Sequence, residues 1–200
     1  MQLERIVLAS ASPRRSELLR RAGIAFEVRP ANVDESLEPG ESPLAAAQRL
    51  ATIKARAGLA ALAPAEGERW VIGADTIVAL NEAGRWRMLG KAADEREATA
   101  MLESLSATRH LVATGVCVVR SSDALHWAGV EQTWVNMRPI EPDEIRAYVD
   151  SGEWRDKAGA YAIQESADRF VVALEEGGFD NVVGLPVQLT LDLLREAGAF

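Results

Sequence analysis

Cysteine is nearly missing. Cys117 stands alone among 200 residues, so neither an intramolecular disulfide nor a Cys-based zinc cluster can form. A reduced, cytoplasmic setting fits that usage. Histidine is almost as scarce, with His110 and His126 the only two. Both fall in stretches that read as strands, where ordinary sheet roles are expected. The chain has neither H-E-x-x-H nor G-x-S-x-G, which argues against zinc-hydrolase and serine-hydrolase chemistry. No apolar run approaches the roughly 18–20 residues of a membrane span. Near the start, Glu4 and Arg5 beside a short apolar run make a poor signal peptide. Cations are also in deficit: 22 Lys and Arg face 30 Asp and Glu, for a net charge of −8. A duplex binder normally shows a basic footprint, so nucleic acid is disfavoured as a partner. An acidic protein that holds an anion must gather its few cations locally. A Walker-type loop is missing too, because five residues separate Gly84 from Gly90 and Lys91 is followed by Ala92.

What remains is the composition of an ordinary globule, 48% hydrophobic and 26% charged. The length suits a single domain over residues 1–200, with a sizeable core. There is no internal repeat, low-complexity tract or Pro/Ser-rich linker. Apolar patterning and turn residues predict an alternation of elements. "RIVLA" reads as a strand and Ser12–Ala22 as a helix closed by Gly23. "AFEVRP" is a strand, "NVDESLEPGES" a loop, and "SPLAAAQRLATIKARAGLAAL" a long helix. "WVIGADTIVAL" reads as a buried strand, "NEAGRWRMLGK" as a hairpin or loop, and "ADEREATAMLESL" as a helix. Two long stretches, "HLVATGVCVVR" and "LHWAGVEQTWVNMRPI", suit an antiparallel pair. "PDEIRAYVDSG" is a short helix, "RFVVAL" a strand, and "GLPVQLTLDLLREAG" a closing helix. The sum is an α/β protein with a mixed twisted sheet flanked by helices.

Chemistry is suggested first by "LASASPRRSELL". With Ser12 as N-cap and Pro13 at the first helical position, Arg14 and Arg15 fall in the first turn. Cations there oppose the helix dipole. Together with the hydroxyls of Ser10 and Ser12 and the exposed N–H groups, they make an anion cradle. The plain alternative is two solvated surface charges. A second oddity is Lys54. On a helical wheel, Ala46, Ala47, Leu50, Ile53, Ala57 and Ala61 define the apolar stripe, and Lys54 lands inside it. Such an ammonium either meets an anion or snorkels to water. The third is Asp75, a carboxylate within an apolar strand. It is paired, metal-bound, catalytic, or the mark of a strand end at Gly73. Thr76 follows on the opposite face. Glu35, Lys91, Lys157 and Gln164 are weaker singly. Together they fit a scheme in which cations neutralise a polyphosphate while carboxylates hold a divalent metal and activate water.

These blocks, "LASASPRRSELL", "GADTIV", "DKAGAYAIQ" and "NVVGLP", in this order, resemble the Maf family of nucleoside triphosphate pyrophosphatases over essentially the whole chain. The resemblance implies a fold shared with inosine-triphosphate-type pyrophosphatases, two lobes with a central cleft, and hydrolysis of a nucleoside triphosphate to the monophosphate and pyrophosphate. It implies a divalent cation, Mg²⁺ or Mn²⁺, and a homodimer. Carried over residue by residue, Asp75 matches the family's general base, and Glu35, Lys54 and Lys91 match other catalytic positions, with Glu35 expected at the metal. Arg14, Thr76 and Gln164 match the specificity residues of the dTTP/UTP branch, in contrast to the branch that prefers 7-methyl-GTP. Ser10, Ser12, Arg15 and Lys157 are expected on phosphate. Arg14 therefore has two readings, as a phosphate ligand or as a reader of the base. The chain departs from the family pattern at Glu165, where a glycine often follows the glutamine, in the polar "ESADRF", and in lacking a proline after Lys91. A modified pyrimidine nucleotide is a second substrate reading, and a non-catalytic nucleotide sensor in cell division is the rival from another class.

Overall fold

The computed structural model describes residues 5–63 and 67–200; Glu4, named above, lies outside the described residues. Among the described residues, seven strands form one mixed sheet in the order β2-β1-β3-β5-β6-β7, with β4 paired to β3. Their ranges are β1 Ile6–Leu8, β2 Glu27–Val28, β3 Trp70–Glu82, β4 Arg85–Leu89, β5 Arg109–Arg120, β6 His126–Met137 and β7 Val171–Glu175. The helices are α1 Pro13–Arg21, α2 Pro43–Ala60, α3 Glu95–Leu105, α4 Pro142–Ser151, α5 Phe179–Val183 and α6 Val187–Glu196. The mixed α/β architecture expected from the sequence is thus present. Two compact units divide the chain. One takes residues up to Asp75, Thr114–Glu131 and Gly184–Phe200, and the other Thr76–Ala113 and Gln132–Val183.

In the first unit β1 runs parallel to both β2 and β3. Strand periodicity splits its residues between two cores. Ile6, Leu8, Trp70, Ile72, Ala74, Val116 and Val118 pack with Leu19 of α1 and Leu193 and Leu194 of α6. Their neighbours along the chain, Val7, Ala9, Val71, Cys117 and Val119, pack on the α2 side with Ala51, Ala55 and Leu59. Asp75 shares the parity of Val71 and Gly73, which places it on the α2 side.

Helix α2 starts at Ser42, whose Oγ accepts from Ala45 N at 3.3 Å, with Pro43 in the first turn. Its contact with the sheet is unusually close. A Cβ built on Gly73 would lie 2.2 Å from Ala51 O, and one on Gly115 would lie 2.2 Å from Ala47 O. Glycine is required at both strand positions by this approach of helix backbone to sheet backbone. The buried face of α2 is Ala46, Ala47, Leu50, Ala51, Lys54, Ala55 and Gly58. This corrects the helical wheel. Ile53 and Ala57 are only partly buried and Ala61 is exposed. The sheet admits a row of the smallest side chains, so Ala51, Ala55 and Gly58 take the face and bulkier Ile53 sits at its margin.

The second unit packs Val78, Leu80, Leu89, Leu102, Val112, Val135, Tyr148, Trp154, Tyr161 and Phe170 into one core. "NEAGRWRMLGK" is resolved as a hairpin, with Glu82 paired to Arg85 across a two-residue turn. Both turn residues have positive φ, Ala83 at 52° and Gly84 at 83°, the type I′ pattern that matches strand twist. Asn81 Oδ1 closes the turn by accepting from Gly84 N at 2.9 Å. "RFVVAL" is shorter as a strand than expected. Residues Ser166–Phe170 form a 3₁₀ turn, and β7 begins at Val171. Phe170 is fully buried, its ring edge-on to Tyr148 at 5.7 Å. That anchor turns the chain before the strand can start. Among the described residues, no helix is long and apolar enough to cross a membrane.

Candidate active site

Asp75 sits inside β3, which continues seven residues beyond it to Glu82. The reading of Asp75 as a strand end is therefore wrong, and its carboxylate is buried at mid-strand. Its partner is Lys54. The Nζ of Lys54 donates to Asp75 Oδ1 at 2.5 Å, and each side chain is only 8% exposed. The close approach of α2 over Gly73 brings the two together, since any larger residue there would push the helix away. Glu35, from the 29–42 loop, places Oε1 3.0 Å from the same ammonium, with 45% of its side chain exposed. Lys54 thus meets two anions and does not snorkel to water. The three groups carry a formal charge of −1, one ammonium against two carboxylates.

The start of α1 forms a second group in the same unit. Ser12 Oγ accepts from Arg15 N at 3.4 Å and caps the helix. Ser10 Oγ accepts from Ser12 N at 3.3 Å and from Arg15 Nη1 at 3.1 Å. Arg15 Nε donates to Gly184 O at 2.8 Å. The "NVVGLP" block thus supplies a carbonyl that aims this guanidinium. Burial lowers the Arg15 pKa from the usual arginine value, while the negative charges of Asp75 and Glu35 oppose that shift. A partly desolvated guanidinium held in a fixed direction is suited to an oxyanion. Arg14, beside it, is half-buried.

The second unit carries the remaining sequence candidates. Thr76 follows Asp75 in β3 and is half-buried, on the opposite side of the strand by its alternation. Lys91 is exposed, and its backbone makes an antiparallel bridge with Ala158. Gly159 N donates to Gly90 O at 3.0 Å, which strengthens the same link. Gln164 is exposed at the end of the "DKAGAYAIQ" segment, just after buried Tyr161, Ala162 and Ile163. Lys157 is buried at 6% exposure. Its ammonium donates to the Glu153 carbonyl and to Glu165 Oε2, the latter at 2.5 Å.

Sequence reasoning missed the partners of these groups. Gly73 and Gly115 signal the helix approach only when set beside the alanines at i, i+4 in α2. The carbonyl of Gly184 carries no side-chain signal at all. Among the described residues there is no group of three or more His, Cys, Asp or Glu able to hold a metal ion. A Mg²⁺-type ion nevertheless needs only one or two carboxylates when phosphate oxygens complete its shell. Glu35, charged and half-exposed beside Asp75's ion pair, fits that requirement.

Comparison with known proteins adds to this geometry. Residues 5–197 match the profile of Maf-like proteins. The chain belongs to the Maf family. It is 50% identical to the dTTP/UTP pyrophosphatase of Anaeromyxobacter sp. (strain Fw109-5) over 97% of its own length and 90% of that protein's. It is 46% identical to the dTTP/UTP pyrophosphatase of Geobacter sulfurreducens, with all of both chains covered. Identity to the Koribacter versatilis dTTP/UTP pyrophosphatase is also 46%, over 96% of this chain and 94% of that protein. The family resemblance in the four sequence blocks therefore extends over nearly the whole chain.

Proposed function

We propose that this protein is a pyrophosphatase of pyrimidine nucleoside triphosphates, hydrolysing dTTP and UTP to the monophosphate and pyrophosphate within a single Maf-like domain. The observation that carries this is the buried Lys54–Asp75 pair with Glu35 at 3.0 Å, in a chain similar along its length to proteins of that name. A nucleotide sensor needs cations for phosphate, but it has no use for a carboxylate buried at mid-strand beside them.

In this reading Asp75 orients a water molecule and takes its proton as the water attacks the α-phosphorus. Lys54 fixes the carboxylate through Oδ1, which leaves Oδ2 as the proton acceptor. Arg15, aimed by Gly184 O and Ser10, and the N–H groups and hydroxyls at Ser10 and Ser12 receive phosphate oxygens. Their pre-set orientation is the electrostatic contribution, since donors held in place need no reorganisation as charge develops. Lys91 neutralises further phosphate charge. Glu35 would hold the divalent metal, Mg²⁺ or Mn²⁺, which when bound draws charge from the phosphates and steadies pyrophosphate as leaving group. Arg14, Thr76 and Gln164 select the base. One amide on Gln164 offers both the donor and the acceptor that the O4/N3 edge of uracil or thymine needs. The same reading places the enzyme in the cytoplasm as a homodimer.

The test is product analysis with dTTP, UTP, CTP, ATP, GTP and 7-methyl-GTP in Mg²⁺ or Mn²⁺. Release of pyrophosphate, and not phosphate, from dTTP and UTP is the expected result. Binding of these nucleotides with no product would favour the sensor, and preferred turnover of 7-methyl-GTP would reject the specificity assignment.

A further inference from the structure

Lys157 was expected to reach phosphate, yet its ammonium is buried and engaged from within the chain. Glu153 O and Glu165 Oε2 both accept from it. Glu153 contributes again through its carboxylate, which accepts from Ser166 N at 3.1 Å and from Ser166 Oγ at 2.7 Å. The segment from Lys157 to Ser166 is therefore tied at both ends to one residue, Glu153. A third tie holds its middle, where the Tyr161 hydroxyl and His110 Nε2 share a 2.9 Å hydrogen bond. Within this frame Ala160 keeps a positive φ of 61°, which an alanine adopts only when its surroundings over-determine it.

What the frame carries is chemically informative. At one end Ala158 bridges to Lys91 and Gly159 N donates to Gly90 O. At the other end Gln164 is exposed immediately before Glu165. A buried ammonium without an anion costs several kcal/mol, so Lys157 cannot leave Glu165 for substrate without a comparable replacement.

Resting on the function proposed above, we propose that Lys157 and Glu165 are positioning residues, an ion-pair clamp that sets the backbone under Lys91 and presents Gln164 to the pyrimidine. Lys157 does not touch phosphate, and Glu165 provides the anchoring that a glycine at that place could not.

Glu165→Gln keeps the shape and removes the charge, and is measured beside Lys157→Met and Glu165→Asp. Hydrogen exchange at amides 158–164 reads the clamp without any turnover. The clamp predicts exchange at least tenfold faster in E165Q, restored in E165D. In steady state it predicts KM for UTP raised about 5–10-fold and the UTP-over-CTP preference reduced by a similar factor, with inhibition by added pyrophosphate unchanged in both E165Q and K157M. A purely structural role would lower Tm and leave that preference intact, which overturns the proposal. Tighter pyrophosphate inhibition in E165Q would mean that a freed Lys157 binds phosphate, and also overturns it. Unchanged exchange does so even if the parent enzyme turns over no nucleotide, so failure of the clamp and failure of the functional reading remain distinct. If K157M does not fold, E165Q carries every comparison alone.

Discussion

Lys54 Nζ donates to Asp75 Oδ1 at 2.5 Å while both side chains are more than nine-tenths buried. The pair is asymmetric, because the ammonium has Glu35 as a second partner. Lys54→Met leaves two carboxylates without their cation. Asp75→Asn leaves the ammonium with Glu35 still beside it. Breaking a buried pair from one side costs about 3–5 kcal/mol, so Lys54→Met should approach that loss and Asp75→Asn should fall well below it. Urea denaturation of the two variants beside the parent gives the order directly. Both should lose turnover, with Asp75→Asn down by about 10²–10⁴ if the carboxylate is the base.

Gly73 controls whether that pair can form. A Cβ there would lie 2.2 Å from Ala51 O and 2.4 Å from Ala55 N, both backbone atoms that cannot rotate aside. Gly73→Ala should cost about 1–3 kcal/mol or more through overpacking. It should also lower turnover disproportionately, because the helix that retreats carries Lys54. Equal activity per folded molecule would show that the helix approach does not position the lysine.

How much of this was legible in the sequence follows from what each residue breaks. Asp75 and Lys54 stood out because each interrupts an apolar pattern, and the structure places both in the interior. Glu35 carries no such signal, since a carboxylate in a polar loop looks solvated; it enters only as part of a combined scheme, and the family resemblance gives it its role. The α2 face was misread because a hydrophobic wheel rewards Ile53, whereas contact at backbone distance selects smallness at Ala51, Ala55 and Gly58. Short elements with no periodicity, the 3₁₀ turn at Ser166–Phe170 and α5 at Phe179–Val183, were invisible for that reason. Lys157 reads in the sequence as a phosphate ligand because its partners, a carbonyl and a residue eight positions away, have no sequence signature.

His110 gives the fold a pH dependence. Burial lowers its pKa from the ordinary 6.5 to about 4, because the imidazolium is disfavoured where it sits. The unfolded chain therefore takes up the proton first as pH falls. The stability from neutral His110 is complete above about pH 6.5 and is lost progressively towards pH 4, by about 3 kcal/mol in all. Denaturation at pH 7 and pH 4 should show a steeper decline for the parent than for His110→Gln. Carboxylates titrate alike in both and cancel in the difference.

Ala83 is a place where the chain can be improved. With φ at 52° it occupies the left-handed region as the first turn residue of the β3–β4 hairpin, where asparagine before glycine is favoured. Ala83→Asn should raise stability by about 0.5–1 kcal/mol and leave activity unchanged. Thermal melts and parallel UTP assays check both.

Bound nucleotide should relieve the unfavourable charge of Arg14 and Arg15 at the α1 start. A non-hydrolysable dTTP analogue at 100 times its Kd should add about 2.7 kcal/mol of stability, read as a rise in Tm. At that same analogue concentration, replacing Arg15 with glutamine should shrink the rise by weakening affinity.

The central claim is that water activated at Asp75 attacks the α-phosphorus. Hydrolysis of UTP in ¹⁸O-water, followed by mass spectrometry of both products, tests it most directly. The account predicts that the label enters UMP alone and that label incorporation collapses in Asp75→Asn. Label in pyrophosphate would place the attack on the β-phosphorus and contradict it.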